Sequence, residues 1–182
     1  MLFRSDVEKG GGALSFYFSH VFYYLEYFIG KIKNLECNLS SSINNLNGGE
    51  TVINMTILFN NGCMGNAHMD ISSNNKQKHL VEFIGKEGSI TLQNTSSDFV
   101  NNFELIVNTK EGYRKIQHNK ILNTPNNESE DPRVKMIIPL AERFVSWCNN
   151  GIEAKPDFQD GLRVQELIDI ARVSSQHRKY ET

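Results

Sequence analysis

The amino-acid sequence predicts an α+β fold: an open, mainly antiparallel β-sheet with helices packed on one face. Three observations carry that expectation. Residues 31–117 break into short apolar runs joined by connections too brief for parallel crossovers. A dense aromatic segment closed by Gly30 precedes them, and two stretches of helical periodicity follow.

Taken in order, residues 1–10 (MLFRSDVEKG) read as an extended lead-in, and Gly10-Gly11-Gly12 opens the aromatic segment, 13–29. Eight of the chain's 18 aromatic residues lie there: Phe16, Tyr17, Phe18, Phe22, Tyr23, Tyr24, Tyr27 and Phe28. Its length and the Gly30 stop favour a helix, one so apolar that it should be buried on most sides. A loosely alternating strand follows at 32–40, then a polar loop at 41–49. The runs 52–59 and 63–71 flank Asn60-Asn61-Gly62, where Asn-Gly supplies the positive φ of a hairpin turn. Lys86-Glu87-Gly88 joins 79–84 to 89–93, and Lys110-Glu111-Gly112 joins 103–108 to 113–118, so a meander with one face covered and one open or shared is expected. A polar loop at 119–130 leads into Asp131-Pro132, an N-cap followed by proline at the first helical position. Val134, Ile137, Ile138, Ala141, Phe144, Val145 and Cys148 then recur at helical spacing up to Gly151, with Pro139 expected to kink the helix or delay its start. Pro156-Asp157 introduces a last helix with Phe158, Leu162, Leu167, Ile168 and Ala171 on one face, and the charged tail from 176 should fray.

Composition narrows the function. The 182 residues are expected to form one domain, 1–182, large enough to fold without disulfide or metal staples. Nineteen Lys and Arg against 21 Asp and Glu argue against a nucleic-acid partner. A mean hydropathy of −0.41 and the lack of a long uncharged apolar run argue against a membrane span. No basic n-region followed by an apolar h-region opens the sequence, so no signal peptide is expected, and Cys37, Cys63 and Cys148 form no C-x-x-C pair, so three buried thiols in a reducing cytoplasm are expected. Four N-x-[ST] triplets fall within what 21 Asn and 22 Ser plus Thr produce by chance.

No G-x-G-x-x-G follows a strand, and no Walker, H-E-x-x-H or G-x-S-x-G motif occurs. The glycine triplet fits neither phosphate loop by its spacing; its simpler role is a tight turn that lets another segment approach. His68 and His79 with Asp70 make a metal site conceivable, although surface strand histidines are the commoner case, and no metal is expected. His118 and His177 read as surface residues, Lys9 and Glu8 as surface charges, and Glu26 as exposed or capping a neighbour. His20 stands out. On a helix it shares a face with Phe16, Tyr17, Tyr23 and Tyr24, and with Tyr27 two turns on. A histidine among phenols suits a sugar hydroxyl and proton transfer; a core histidine satisfied by a tyrosine or a carbonyl is the alternative.

Two separated segments carry a resemblance. GGGALSFYFSHVFYYLEYFIG (10–30) is similar to the G-G-G-x-L-x-D-x-G-x-H segment and helix opening the C-terminal domain of the glucose–fructose oxidoreductase/inositol dehydrogenase (Gfo/Idh/MocA) family. PDFQDGLRVQELIDIARVSS (156–175) resembles that family's closing helix, preceded by the amphipathic helix ending at 144–151, and the 60–62 turn sits where the family has its own. The resemblance spans 4–175 and implies the C-terminal, substrate-binding and oligomerisation domain of an NAD(P)-dependent oxidoreductase acting on a sugar, nucleotide sugar or cyclic polyol. It implies further that NAD or NADP binds an N-terminal Rossmann domain lacking here, so that this chain alone binds no cofactor and is inactive, and that the open sheet makes a homo-dimer or tetramer. The motif histidine falls on His20, as catalytic residue and substrate contact, with Tyr17, Tyr23 and Tyr24 as substrate-binding neighbours. Three positions depart from the pattern: the motif aspartate is Phe16, the following glycine is Phe18, and an acidic residue common three places after the histidine is Tyr23. Those departures also fit a rival reading, a standalone ligand-binding or dimerisation module without redox activity.

Overall fold

The computed structural model describes residues 6, 9–41, 48–72, 78–98, 102–116 and 134–177, with Lys135 as backbone only. The Asp131-Pro132 cap, the 119–130 loop and His118 lie outside the described residues. Two compact units emerge, one of Met1–Ser73 with Lys155–Thr182 and the other of Asn74–Ala154. The α+β expectation holds: among the described residues are seven strands, all paired antiparallel, and three α-helices.

The first unit contains a π-helical turn, Leu14–Phe18, running directly into α1, Ser19–Phe28. Three strands follow, β1 (Ile32–Ser40), β2 (Val52–Phe59) and β3 (Met64–Asp70), paired in the order β1-β2-β3. The β2–β3 hairpin turns where Asn-Gly predicts it: Gly62 has φ +86°, and Asn61 Oδ1 accepts from the Cys63 amide at 3.0 Å. The same asparagine donates through Nδ2 to the Ile29 carbonyl at 2.9 Å, tying the turn to the end of α1. The last helix, labelled α3 (Phe158–His177), lies along β1. Ser174 Oγ accepts from the Cys37 amide and Ser175 Oγ from the Leu39 amide, each at 3.0 Å, while Arg163 donates to the Ile32 carbonyl at 3.0 Å. An edge strand's outward amides are thus answered by side-chain hydroxyls of a covering helix.

The core of this unit lies between helices and sheet. Leu14, Phe18 and Phe22 meet Leu35, Cys37, Ile53, Met55, Ile57 and Phe59 of the strands, and Leu167, Ile168 and Ala171 of α3. Phe18 and Phe22 pack edge to face with centroids 5.0 Å apart. Only one stripe of the aromatic helix is buried: Tyr17 is 43%, Tyr27 72% and Phe28 66% exposed. The expectation of burial on most sides is therefore corrected, because β1–β3 and α3 cover one side only.

The second unit pairs β4 (His79–Gly85), β5 (Gly88–Asn94), β6 (Glu104–Thr109) and β7 (Gly112–Ile116) in sequence order. Both turns fall at the expected residues, and the strands of the described residues are paired in two antiparallel sheets. The register places Val81 and Phe83 opposite Leu92 and Ile90, these opposite Leu105 and Val107, and Ile116 opposite Leu105, so an apolar diagonal runs across one face, with Arg114 opposite Val107 at its β7 edge. Asn94 is buried at its edge, donating to the Asp98 carbonyl at 2.7 Å and accepting from the Ser96 amide at 2.9 Å. Helix α2 (Val134–Asn150) runs through Pro139 without a delayed start. Its predicted core stripe is exposed, with Ile137, Ile138, Phe144 and Val145 each roughly half accessible.

Candidate functional site

The N-terminus of the α1 segment is set by Glu50. Its carbonyl accepts from the Ala13 amide at 2.8 Å and its carboxylate Oε1 from the Leu14 amide at 3.0 Å. Gly12, at φ +120°, makes room for this: a Cβ there would lie 2.3 Å from the carboxylate atoms. The helix end that a phosphate would favour is already answered by an internal anion. Arg172 of α3 donates to Ser15 Oγ at 2.6 Å, fixing the helix in rotation.

That rotation buries Leu14, Phe18 and Phe22 and turns His20 outward, together with Tyr17 and Tyr27. A core histidine is therefore excluded. Tyr23 and Tyr24 are half-buried at the flanks of the exposed stripe. Tyr23 stacks on Tyr27 with centroids 6.4 Å apart and planes 27° apart, and Phe16 packs its edge on Tyr17 at 5.1 Å. Burial pushes the Tyr24 phenol up to about 12. The sequence-predicted residues His20, Tyr17, Tyr23 and Tyr24 thus share one helix, His20 and Tyr17 exposed and the two others at its shoulders.

Sequence reasoning missed the charged group at the far end of this stripe. Glu26, its side chain only 7% exposed, accepts from Lys31 Nζ at 2.6 Å, from the Ile32 amide at 2.9 Å and from Arg163 Nη2 at 3.0 Å. It caps the start of β1, as one of the two sequence readings had it. Burial pushes its carboxyl up, yet the bonds from Lys31, Ile32 and Arg163, with the guanidinium's charge, outweigh this and hold it below the ordinary value. Beside it opens a cleft of about 250 Å³ between α1, α3 and the Lys155-Pro156 segment. A lone acid in an apolar helix was the one available signal.

The remaining candidates separate. His68 bonds Asn54 across the β2–β3 ladder at 2.8 Å, and its strand is not paired with that of His79. Among the described residues no group of three His, Cys, Asp or Glu converges on a metal position. Cys37 is buried, but Cys63 and Cys148 are exposed, correcting the expectation of three buried thiols, since one sits in a hairpin turn and the other on the uncovered α2. Lys9 is a surface charge paired with Asp6 at 3.1 Å. No helix among the described residues is long and apolar enough to cross a membrane.

Comparison with known proteins decides the family. Residues 4–182 match the model of the oxidoreductase family C-terminal alpha/beta domain. The chain belongs to the Gfo/Idh/MocA oxidoreductase family. It is 25% identical to an uncharacterized oxidoreductase of Synechocystis sp., over 95% of this chain and 50% of that protein. Levoglucosan dehydrogenase in complex with NADH and levoglucosan superposes with a TM-score of 0.78 at 22% identity, covering 97% of this chain and 52% of its own. The WlbA dehydrogenase of Bordetella pertussis, in complex with NADH and UDP-GlcNAcA, gives 0.67 at 16% identity, covering 96% and 46%. The chain spans about half the length of these Gfo/Idh/MocA relatives. Among the described residues, Glu50 fills the glycine-rich turn and every strand pair is antiparallel.

Proposed function

We propose that this chain is the substrate-binding and oligomerisation part of an NAD(P)-dependent oxidoreductase acting on a sugar, nucleotide sugar or cyclic polyol. The observation that carries this reading is the outward-facing His20, flanked by tyrosines, on the motif helix of an oxidoreductase-family domain. His20 is the catalytic residue: its imidazole holds a ligand hydroxyl and exchanges that hydroxyl's proton. Tyr17 offers a phenol beside it, Tyr23 a ring and hydroxyl, and Tyr24 a half-buried phenol donor. With Phe16 in place of an aspartate, the proton passes through imidazole and phenols with no carboxylate at that position.

NAD or NADP belongs to a part of the protein outside this chain, which by itself binds neither and turns over nothing. Calorimetry on the 182-residue chain checks this: no heat of binding is expected with NAD or NADP, and a saturable signal overturns it. For the substrate, His20 ring resonances should shift on titration with glucose, glucosides or inositol; silence across that panel overturns the sugar reading. The apolar diagonal of the β4–β7 sheet and the exposed stripe of α2 support assembly into a homo-dimer or tetramer. Sedimentation showing a monomer at high concentration overturns that part. Three cysteines, odd in number and without a C-x-x-C pair, support a cytoplasmic location.

A further inference from the structure

The exposed stripe of α1 continues beyond His20. Tyr27 lies seven residues on, back on the same side of the helix after two turns and about 10 Å along its axis. There the stripe enters the 250 Å³ cleft, with Tyr23 and Tyr27 as one wall. That volume lies just below the roughly 300 Å³ at which drug-sized pockets begin, so it suits one small ring. The rest of the cleft is charged, but each cation has a carboxylate: Lys31 lies on Glu26 at 2.6 Å, Arg163 on Glu26 at 3.0 Å and on Glu166 at 3.2 Å, and Lys155 on Asp157 at 2.5 Å and on Asp160 at 3.4 Å. A wall with its cations already paired offers little net field to an anion. It does offer ammonium donors beside carboxylate acceptors, the alternation that vicinal hydroxyls match, since each hydroxyl both donates and accepts. The Lys31 and Lys155 side chains are 59% and 53% exposed, within reach of a ligand. Tyr27, 72% exposed, presents an apolar ring face of the kind that packs on the C–H face of a pyranose.

We propose that this cleft is a second-ring subsite. It takes an uncharged pyranose-sized ring of a two-ring glycoside whose reacting ring lies at His20. The inference rests on the sugar reading above and narrows its ligand class from a monosaccharide to a glycoside with a neutral second ring.

The test is an NMR titration of the 182-residue chain with glucose, cellobiose, maltose, glucuronate and glucose 6-phosphate, repeated on Tyr27→Ala. Tyr27 lies outside the core, so the variant should keep the parent's amide spectrum. At least one disaccharide should bind about tenfold tighter than glucose. The Lys155 and Arg163 resonances should move with that disaccharide only. Tyr27→Ala should bring it down to the glucose level and leave glucose itself within about twofold. Equal binding of glucose and both disaccharides, with Tyr27→Ala silent, overturns the subsite and leaves the His20 reading intact. No response to any sugar at either position overturns both. Tighter binding of glucuronate or glucose 6-phosphate, with shifts at Lys31 and Lys155, overturns the assignment of an uncharged ring.

Discussion

Gly12→Ala should be among the most destabilising conservative changes in the first unit. Two independent costs meet there. At φ +120° an L-residue occupies backbone space that glycine alone visits freely, worth about 1–3 kcal/mol. The new methyl would sit 2.3 Å from the Glu50 carboxylate, more than 1 Å inside normal contact, so the carboxylate must move. Its bond from the Leu14 amide at 3.0 Å then lapses, and charge-assisted bonds contribute about 1.5–3 kcal/mol. The sum is about 4 kcal/mol, a large share of the 5–15 kcal/mol typical of a domain. At a urea slope of about 2 kcal/mol/M this lowers the midpoint by about 2 M. Amide exchange at Ile53 and Ile57, buried under the helix, provides a reporter specific to this unit. In a Glu50→Ala background the carboxylate is already gone, so Gly12→Ala should cost only the backbone share, about 1–3 kcal/mol. A loss below about 1 kcal/mol in the parent, or an equal loss in both backgrounds, refutes the reasoning.

Three further outcomes are expected. Glu26→Gln should cost about 2–3 kcal/mol at pH 7, since it strips charge from a carboxylate shared by Lys31, Ile32 and Arg163. Because the folded carboxyl is held below its unfolded value, the parent's advantage is complete above the unfolded value, near pH 4.5, and fades as pH falls through the folded one. A gap between parent and variant that widens on acidification contradicts that assignment. Ser174→Ala and Ser175→Ala should each cost about 1–2 kcal/mol and speed exchange at the Cys37 and Leu39 amides respectively; unchanged exchange rates would show that water answers those amides equally well. With a thiol reagent, Cys63 and Cys148 should react within the mixing time and Cys37 only upon unfolding, readable by peptide mass.

The parts that sequence reasoning located are those with local causes. Asn61-Gly62, Lys86-Glu87 and Lys110-Glu111 act through their own dihedrals, so all three hairpins fell within a residue or two of their expected bounds. The helix from Ala13 to Gly30 was legible for the same reason, and Gly30 ends it at φ +120°. What could not be read depends on partners distant in the chain. Arg163 meets Glu26 across 137 residues, and Glu50 reaches Leu14 across 36, with no periodicity to announce either. The half-exposed face of α1 was hidden by its composition, because tyrosine serves equally in a core and beside a ligand. His20 was found through the family pattern, while Glu26 and the cleft beside it needed the tertiary structure.

The two serines on the β1 edge also set an order of events during synthesis. The first unit's core is finished by Leu167, Ile168 and Ala171, yet 87 residues separate the end of β3 at Asp70 from the start of α3 at Phe158. At about 5–20 residues per second, a ribosome needs roughly 4–17 s to bridge that gap. Throughout it, Phe22 and Ile53 lack their cover and the β1 edge offers open amides to any neighbouring strand. A chain that releases its closing helix last is one whose nascent form needs a chaperone's shelter more than its finished form does.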